Sequence, residues 1–159
     1  MAVQPGFRYV AGPYRVQDFT VTSADTFADG NPVTLTGAGR ISEFSAVATA
    51  IVGIALSDSS ESIGGKVPVL LADENTIFSS KIQTGVASSV LTDGAAFNIE
   101  KATDHFRLDT DSTVTLIVQI VPRGDASFDA ASADSSIWCR FLPNFLKYQS
   151  GGTVIVPAV

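Results

Sequence analysis

The chain of 159 residues has one cysteine, one histidine, one tryptophan and few charges. A single cysteine, Cys139, excludes an internal disulfide. A single histidine, His105, excludes a multi-histidine metal cluster built within one chain. Asp, Glu, Lys and Arg make up 16% of the sequence, against about 25% for an ordinary soluble domain. The positive charges are dispersed, and the net charge is −6. Nucleic-acid binding needs clustered cations that displace phosphate counterions, so no nucleic-acid partner is expected. No run approaches the roughly 18 apolar residues of a membrane-spanning helix. The most apolar stretch, Ala46 to Leu56, is too short, and Met1 to Gly12 lacks the apolar core of a secretory signal.

Catalytic patterns are missing as well. There is no Gly-x-Ser-x-Gly elbow, and the glycine pairs Gly37/Gly39, Gly64-Gly65 and Gly151-Gly152 fit neither a phosphate-binding loop nor a dinucleotide fingerprint. Asp104, Asp109 and Asp111 sit near one another, and Asp109-Thr110-Asp111-Ser112 faintly resembles a calcium loop, but the loop's glycine and distal glutamate are absent, so they read as solvated loop carboxylates. His105 reads as a surface or satisfied histidine. Cys139, between Trp138 and Arg140 and close to Phe141, reads as inert packing. No enzyme activity, metal or cofactor is expected.

Short β-prone segments separated by turn residues make up most of the sequence. Tyr14 to Val21, Val33 to Leu35, Arg40 to Phe44, Lys66 to Leu71, Thr76 to Thr84, Phe97 to Ile99, Phe106 to Asp109, Thr113 to Pro122 and Ile137 to Leu142 all read as strands. Asp29-Gly30-Asn31-Pro32, Gly37-Ala38-Gly39 and Thr92-Asp93-Gly94 read as turns. Pro68 places its strand at a sheet edge or beside a bulge. No window has sustained helical periodicity. The expected fold is all-β, a small sandwich or barrel-like domain over residues 14–142, with an N-terminal arm (1–13) and a C-terminal arm or strand (143–159). The expected core is Val33, Leu35, Ile54, Leu56, Val67, Val69, Ile82, Phe97, Ile99, Leu116, Val118, Ile120, Trp138 and Phe141.

The N-terminal segment carries Phe7, Arg8, Tyr9 and Tyr14 among Pro5, Gly6, Gly12 and Pro13. Glycine and proline preclude a helix there. Two readings fit: a frayed terminus, or an extended arm whose aromatics dock on a neighbouring subunit. On the second reading Phe7, Arg8, Tyr9 and Tyr14 are interface anchors, ordered only on contact with a partner, because large aromatics and arginine are the commonest anchors.

One run carries a resemblance. It comprises Asp29-Gly30-Asn31-Pro32-Val33-Thr34-Leu35, Gly37-Ala38-Gly39-Arg40-Ile41, Val52-Gly53-Ile54-Ala55-Leu56 and Gly65-Lys66-Val67-Pro68-Val69-Leu70-Leu71. With Thr92 to Ile99, Thr113 to Pro122 and Ser136 to Phe141, it resembles the head decoration proteins of tailed phages, also called capsid cement proteins. The resemblance spans about residues 14–142. It implies a compact β domain without catalytic residues, located in the virion on the outer capsid surface. There it would bind the major capsid protein as a homo-oligomer, with a trimer favoured, and bridge neighbouring capsomers. Another virion part (a tail-tube, head-completion or fibre-base component) is the alternative. A small β-barrel enzyme or ligand-binding module is a third class, for which the sequence offers no pocket-lining residues.

Overall fold

The computed structural model describes residues 6–22, 26–36, 39–45, 50–59, 65–82, 93–102, 105–111, 116–121, 136–143 and 146. These residues form eleven strands and no α-helix: β1 (Arg8–Ala11), β2 (Val16–Thr20), β3 (Pro32–Leu35), β4 (Ile41–Glu43), β5 (Gly53–Ala55), β6 (Lys66–Leu71), β7 (Ile77–Lys81), β8 (Ala96–Ala102), β9 (His105–Asp109), β10 (Val118–Ile120) and β11 (Ser136–Phe141). They build two antiparallel sheets, ordered β1-β7-β11-β10-β8-β9 and β2-β6-β5-β3-β4, which pack as a sandwich. The expected all-β sandwich is what the chain adopts.

Alternation of side chains in these strands explains the layering. In β7, Phe78 and Ser80 point inward while Ile77, Ser79 and Lys81 lie on the half-exposed face. Strand β11 turns Ile137, Cys139 and Phe141 inward. In β6 both faces are used: Val67 and Val69 enter one apolar cluster and Leu70 the other. The larger cluster lies between the sheets and includes Phe7, Ile54, Leu70, Phe78, Ile120 and Phe141. The smaller one is enclosed by the five-stranded sheet itself, around Phe19, Val33, Ile41 and Val69. Each sheet curls until distant strands meet. Single parallel bridges join Val21 to Ile41 and Ile82 to Leu108.

Glycine is required at one position inside a strand. A Cβ on Gly53 would overlap the carbonyl oxygen of Leu70 and lie 2.8 Å from a Val69 methyl group. Strands β5 and β6 can approach this closely only because residue 53 has no side chain.

The structure corrects several expectations. Pro68 does not lie on an edge strand, since β6 pairs with both β2 and β5. The β5–β6 ladder ends at that point instead. The Leu56 N–H donates to the Pro68 carbonyl at 2.9 Å, and Pro68 has no N–H to return. Trp138 is half-buried rather than in the core, because period-2 alternation cannot put residues 138 and 141 on one face. Leu116 is 41% exposed, since the β10 ladder begins only at Val118. Leu35 and Leu56 pack partly buried at the margins of the two clusters, and the other expected core residues are buried.

The arms differ as well. From Gly6 onward the N-terminal segment belongs to the sandwich. Strand β1 pairs with β7, and Phe7 is 1% exposed. On the C-terminal side, Leu146 is fully buried and bridges to Ile51. Residues 1–5 and 147–159, the latter most of the C-terminal arm or strand expected over 143–159, lie outside the described residues.

Candidate interaction surface

The short connection between β1 and β2 crosses from one sheet to the other, and it is clamped. Asp73, almost fully buried, accepts from Arg15 Nη2 at 3.1 Å through Oδ2 and from the Asn75 N–H at 2.8 Å through Oδ1. The Thr76 hydroxyl lies 3.2 Å from both Asp73 Oδ1 and the Pro13 carbonyl, and donates to one at a time. The Leu71 N–H donates to the Arg15 carbonyl at 2.8 Å. Gly12, at φ +94°, lies against the same turn, where a Cβ would overlap the Asn75 carbonyl oxygen. Left-handed backbone and close approach both require glycine here.

This clamp presents two tyrosines to solvent. The Tyr9 and Tyr14 rings meet edge to face, with centroids 4.9 Å apart. The Tyr9 hydroxyl donates to the Gly12 carbonyl at 2.6 Å, fixing its ring. Tyr9 is 39% exposed and Tyr14 56%. Val16, 45% exposed, follows at the start of β2. Among the described residues, these are three of the four exposed large apolar side chains. They fall within eight sequence positions, and two of them, Tyr9 and Tyr14, are in contact.

The four residues expected to act together are thus divided. Phe7 is withdrawn into the core, packed against Phe78 and Phe141 with ring centroids 6.4 and 5.1 Å away, so it is no interface anchor. Its N–H donates to the Gly30 carbonyl. Burying a phenyl ring in the protein's own core removes the reason for an arm to seek a partner. Arg8 is largely committed too, with Nη1 2.9 Å from Asp29 Oδ1. Tyr9 and Tyr14 remain at the surface and are brought into contact. Val16 was missed as a surface residue, although strand alternation sets it on the face opposite the buried Phe19 and Val21.

A second feature lies between β4 and strands β8 and β9. It is an open groove of about 410 Å³ lined by Glu43, Phe44, Ser45, Ile99, Glu100, Lys101 and Phe106. Lys101 Nζ lies 2.6 Å from Glu43 Oε1, and Glu43 Oε2 accepts from Asn31 Nδ2 at 3.1 Å. Glu100 pairs with Arg107 at 2.7 Å. These are structural ion pairs tying the sheets and their hairpins together.

The residues considered for chemistry fall elsewhere. Cys139 is fully buried, and burial pushes its thiol up to about 12, leaving it unreactive at neutral pH. His105 begins β9 opposite Ala102, half-exposed. Asp109 Oδ1 accepts from the Asp111 N–H at 3.0 Å, an ordinary local turn contact, and Asp104 lies outside the described residues. Among the described residues no three His, Cys, Asp or Glu side chains converge as a metal site.

No protein-family model matches the chain, and no curated protein matches it.

Proposed function

We propose that this chain is a non-enzymatic structural protein of a tailed-phage virion. In this reading it coats the outside of the capsid, binds the major capsid protein and bridges neighbouring capsomers as a homo-oligomer, with three copies favoured. The observation that carries the proposal is where the resemblance falls in the fold. Asp29 to Leu71 supplies β3, β4, β5 and β6 in succession, four of the five strands of one sheet. The glycine of its Gly-Ile-Ala segment, Gly53, is the one that permits the close β5–β6 approach. The strand residues that carry the resemblance therefore lie together in one sheet.

Two further observations support the reading. The Tyr9–Tyr14 corner offers a fixed aromatic surface of the type that anchors protein contacts. A rigid sandwich clamped at its inter-sheet connection suits a part that resists outward pressure through many repeated, individually modest contacts.

The test is co-sedimentation with particles lacking the protein. Wild-type chain is expected to pellet with them saturably. Tyr14→Ala, which removes an exposed ring, is expected to bind about tenfold more weakly, or about 1.4 kcal/mol, with unchanged thermal stability. Absence of saturable binding by the wild type would reject the proposal. Equal binding by the two forms would remove the tyrosine corner from it.

A further inference from the structure

The hydrogen-bond pattern of β2 defines what its outer edge presents. Strand β2 pairs with β6 without a register break, from Val16 opposite Leu70 to Thr20 opposite Lys66. At one end the Leu71 N–H bonds to the Arg15 carbonyl, and at the other the Val21 N–H bonds to the Gly65 carbonyl. The odd-numbered residues of β2 therefore face β6. Pro68 agrees with this, because its carbonyl accepts from Leu56 on the β5 side and so points away from Asp18. In an antiparallel ladder the alternate residues point the other way. The N–H and C=O groups of Val16 and Asp18 thus project from the free edge of β2, and no described residue bonds to them. Thr22, on the same outward phase, donates to the Ile41 carbonyl, which caps the edge only beyond Thr20. Val16, Gln17 and Asp18 are all exposed.

The other sheet edges are blunted. Strand β1 has a register break between Tyr9 and Ala11. Strand β4 has three residues, and Ile41 is bridged to Val21. Strand β9 is bridged through Leu108 to Ile82. Strand β2 has neither proline, lysine nor bulge, and the one edge-blunting device it carries is the single charge of Asp18.

We propose that the β2 edge is a self-association site, where a second copy of this chain adds its own β2 antiparallel across a two-fold axis through Gln17. Charge selects the register. An axis through Asp18 sets two carboxylates opposite each other, which is unfavourable. An axis through Val16 sets Asp18 opposite Tyr14 of the second copy, which lies outside β2, so the outward groups of Asp18 have no strand residue opposite them. An axis through Gln17 sets Val16 opposite Asp18 of the second copy in both directions, so all the projecting groups of these two residues pair. The same register sets Tyr14 opposite Thr20 of the second copy and extends the apolar corner along the seam. A two-fold contact pairs copies and is compatible with a three-fold contact elsewhere on the surface. The inference goes beyond the capsid reading and does not depend on it.

Site-specific cross-linking tests the register. About the Gln17 axis, the two Gln17 residues form a non-hydrogen-bonded pair with Cα atoms about 4.5 Å apart, within the range of about 4.4–6.8 Å that a disulfide spans. Gln17→Cys is expected to form a covalent dimer on mild oxidation, while Val16→Cys and Asp18→Cys cross-link far less. The native Cys139 is buried and does not interfere. Asp18→Pro removes an outward N–H without costing a bond to β6. It is expected to abolish pairing in sedimentation velocity while keeping the β-sheet circular dichroism spectrum. Equal cross-linking at all three positions, or a wild-type chain monomeric up to submillimolar concentration, would overturn the proposal. Failure to bind particles would leave it standing.

Discussion

The ring of Phe7 lies 5.1 Å from the ring of Phe141, tilted by 46°. One residue precedes the first strand and the other ends the last, so this contact ties the two ends of the described fold through the larger core. Phe78 completes the cluster at 5.5 Å from Phe141. Phe7→Ala is therefore expected to cost about 3–5 kcal/mol. Urea denaturation of the variant checks this, with unchanged far-ultraviolet circular dichroism at low denaturant. Removing residues 1–12, which takes away β1 as well, is expected to destabilise the domain further rather than leave it intact.

Gly53→Ala adds one methyl group where the β6 backbone already occupies the space. Because the obstacle is the Leu70 carbonyl rather than a flexible side-chain end, strands β5 and β6 have to separate. The loss is expected at about 1–3 kcal/mol or more, measured by thermal unfolding. At Gly39 an added Cβ would meet nothing within 4 Å, so substitution there carries only the cost of its positive φ and is expected to lose less.

Asp73 and Arg15 are partners with unequal stakes. Asp73 is buried and also serves the Asn75 N–H and the Thr76 hydroxyl, whereas the Arg15 side chain is 43% exposed. Asp73→Ala removes the acceptor of the Asn75 N–H and one of the two acceptors of the Thr76 hydroxyl, and is expected to cost about 1–3 kcal/mol. Arg15→Gln removes a solvent-screened ion pair and is expected to cost about 1 kcal/mol or less. Salt should reduce the Arg15 effect and leave the Asp73 effect largely in place. Equilibrium unfolding of both variants at two ionic strengths gives the ordering.

Burial of Cys139 has a consequence at alkaline pH. Its thiol is pushed from 9.0 up to about 12 in the folded chain. Between those values the unfolded chain has lost the proton and the folded chain retains it. The stabilisation is therefore complete below pH 9.0 and declines as pH rises toward about 12, by up to ~1.4 kcal/mol per pH unit. Cys139→Ala is expected to flatten the decline of stability from pH 9 upward. The native thiol should react with a thiol reagent only after denaturant is added.

The strands were legible in the sequence wherever alternation and turn residues coincide. Residues 77–81 alternate cleanly, and Asp29-Gly30 and Asp93-Gly94 punctuate the chain where the turns occur. Position within a sheet was less legible. The rule that proline belongs at an edge misplaced Pro68, because the early end of β5 relieves it of a partner on that side. Trp138 was assigned by hydrophobicity where strand phase decides. The surface site was half legible. Composition singled out Phe7, Arg8, Tyr9 and Tyr14, but only the tertiary fold separates a phenylalanine that completes the protein's own core from tyrosines left at the surface. Asp73 gave no signal, since its role arises from contacts with Arg15, 58 positions away, as much as from its own turn.

The central claim, that the chain coats a phage capsid, is tested most directly by counting it on purified particles. Quantitative mass spectrometry against the major capsid protein, with imaging of particles with and without the chain, gives both copy number and location. Hundreds of copies per particle are predicted, as density on the outer capsid surface that disappears when the chain is absent. A count of a few to a dozen copies at the tail or portal, or no copies at all, would contradict the claim.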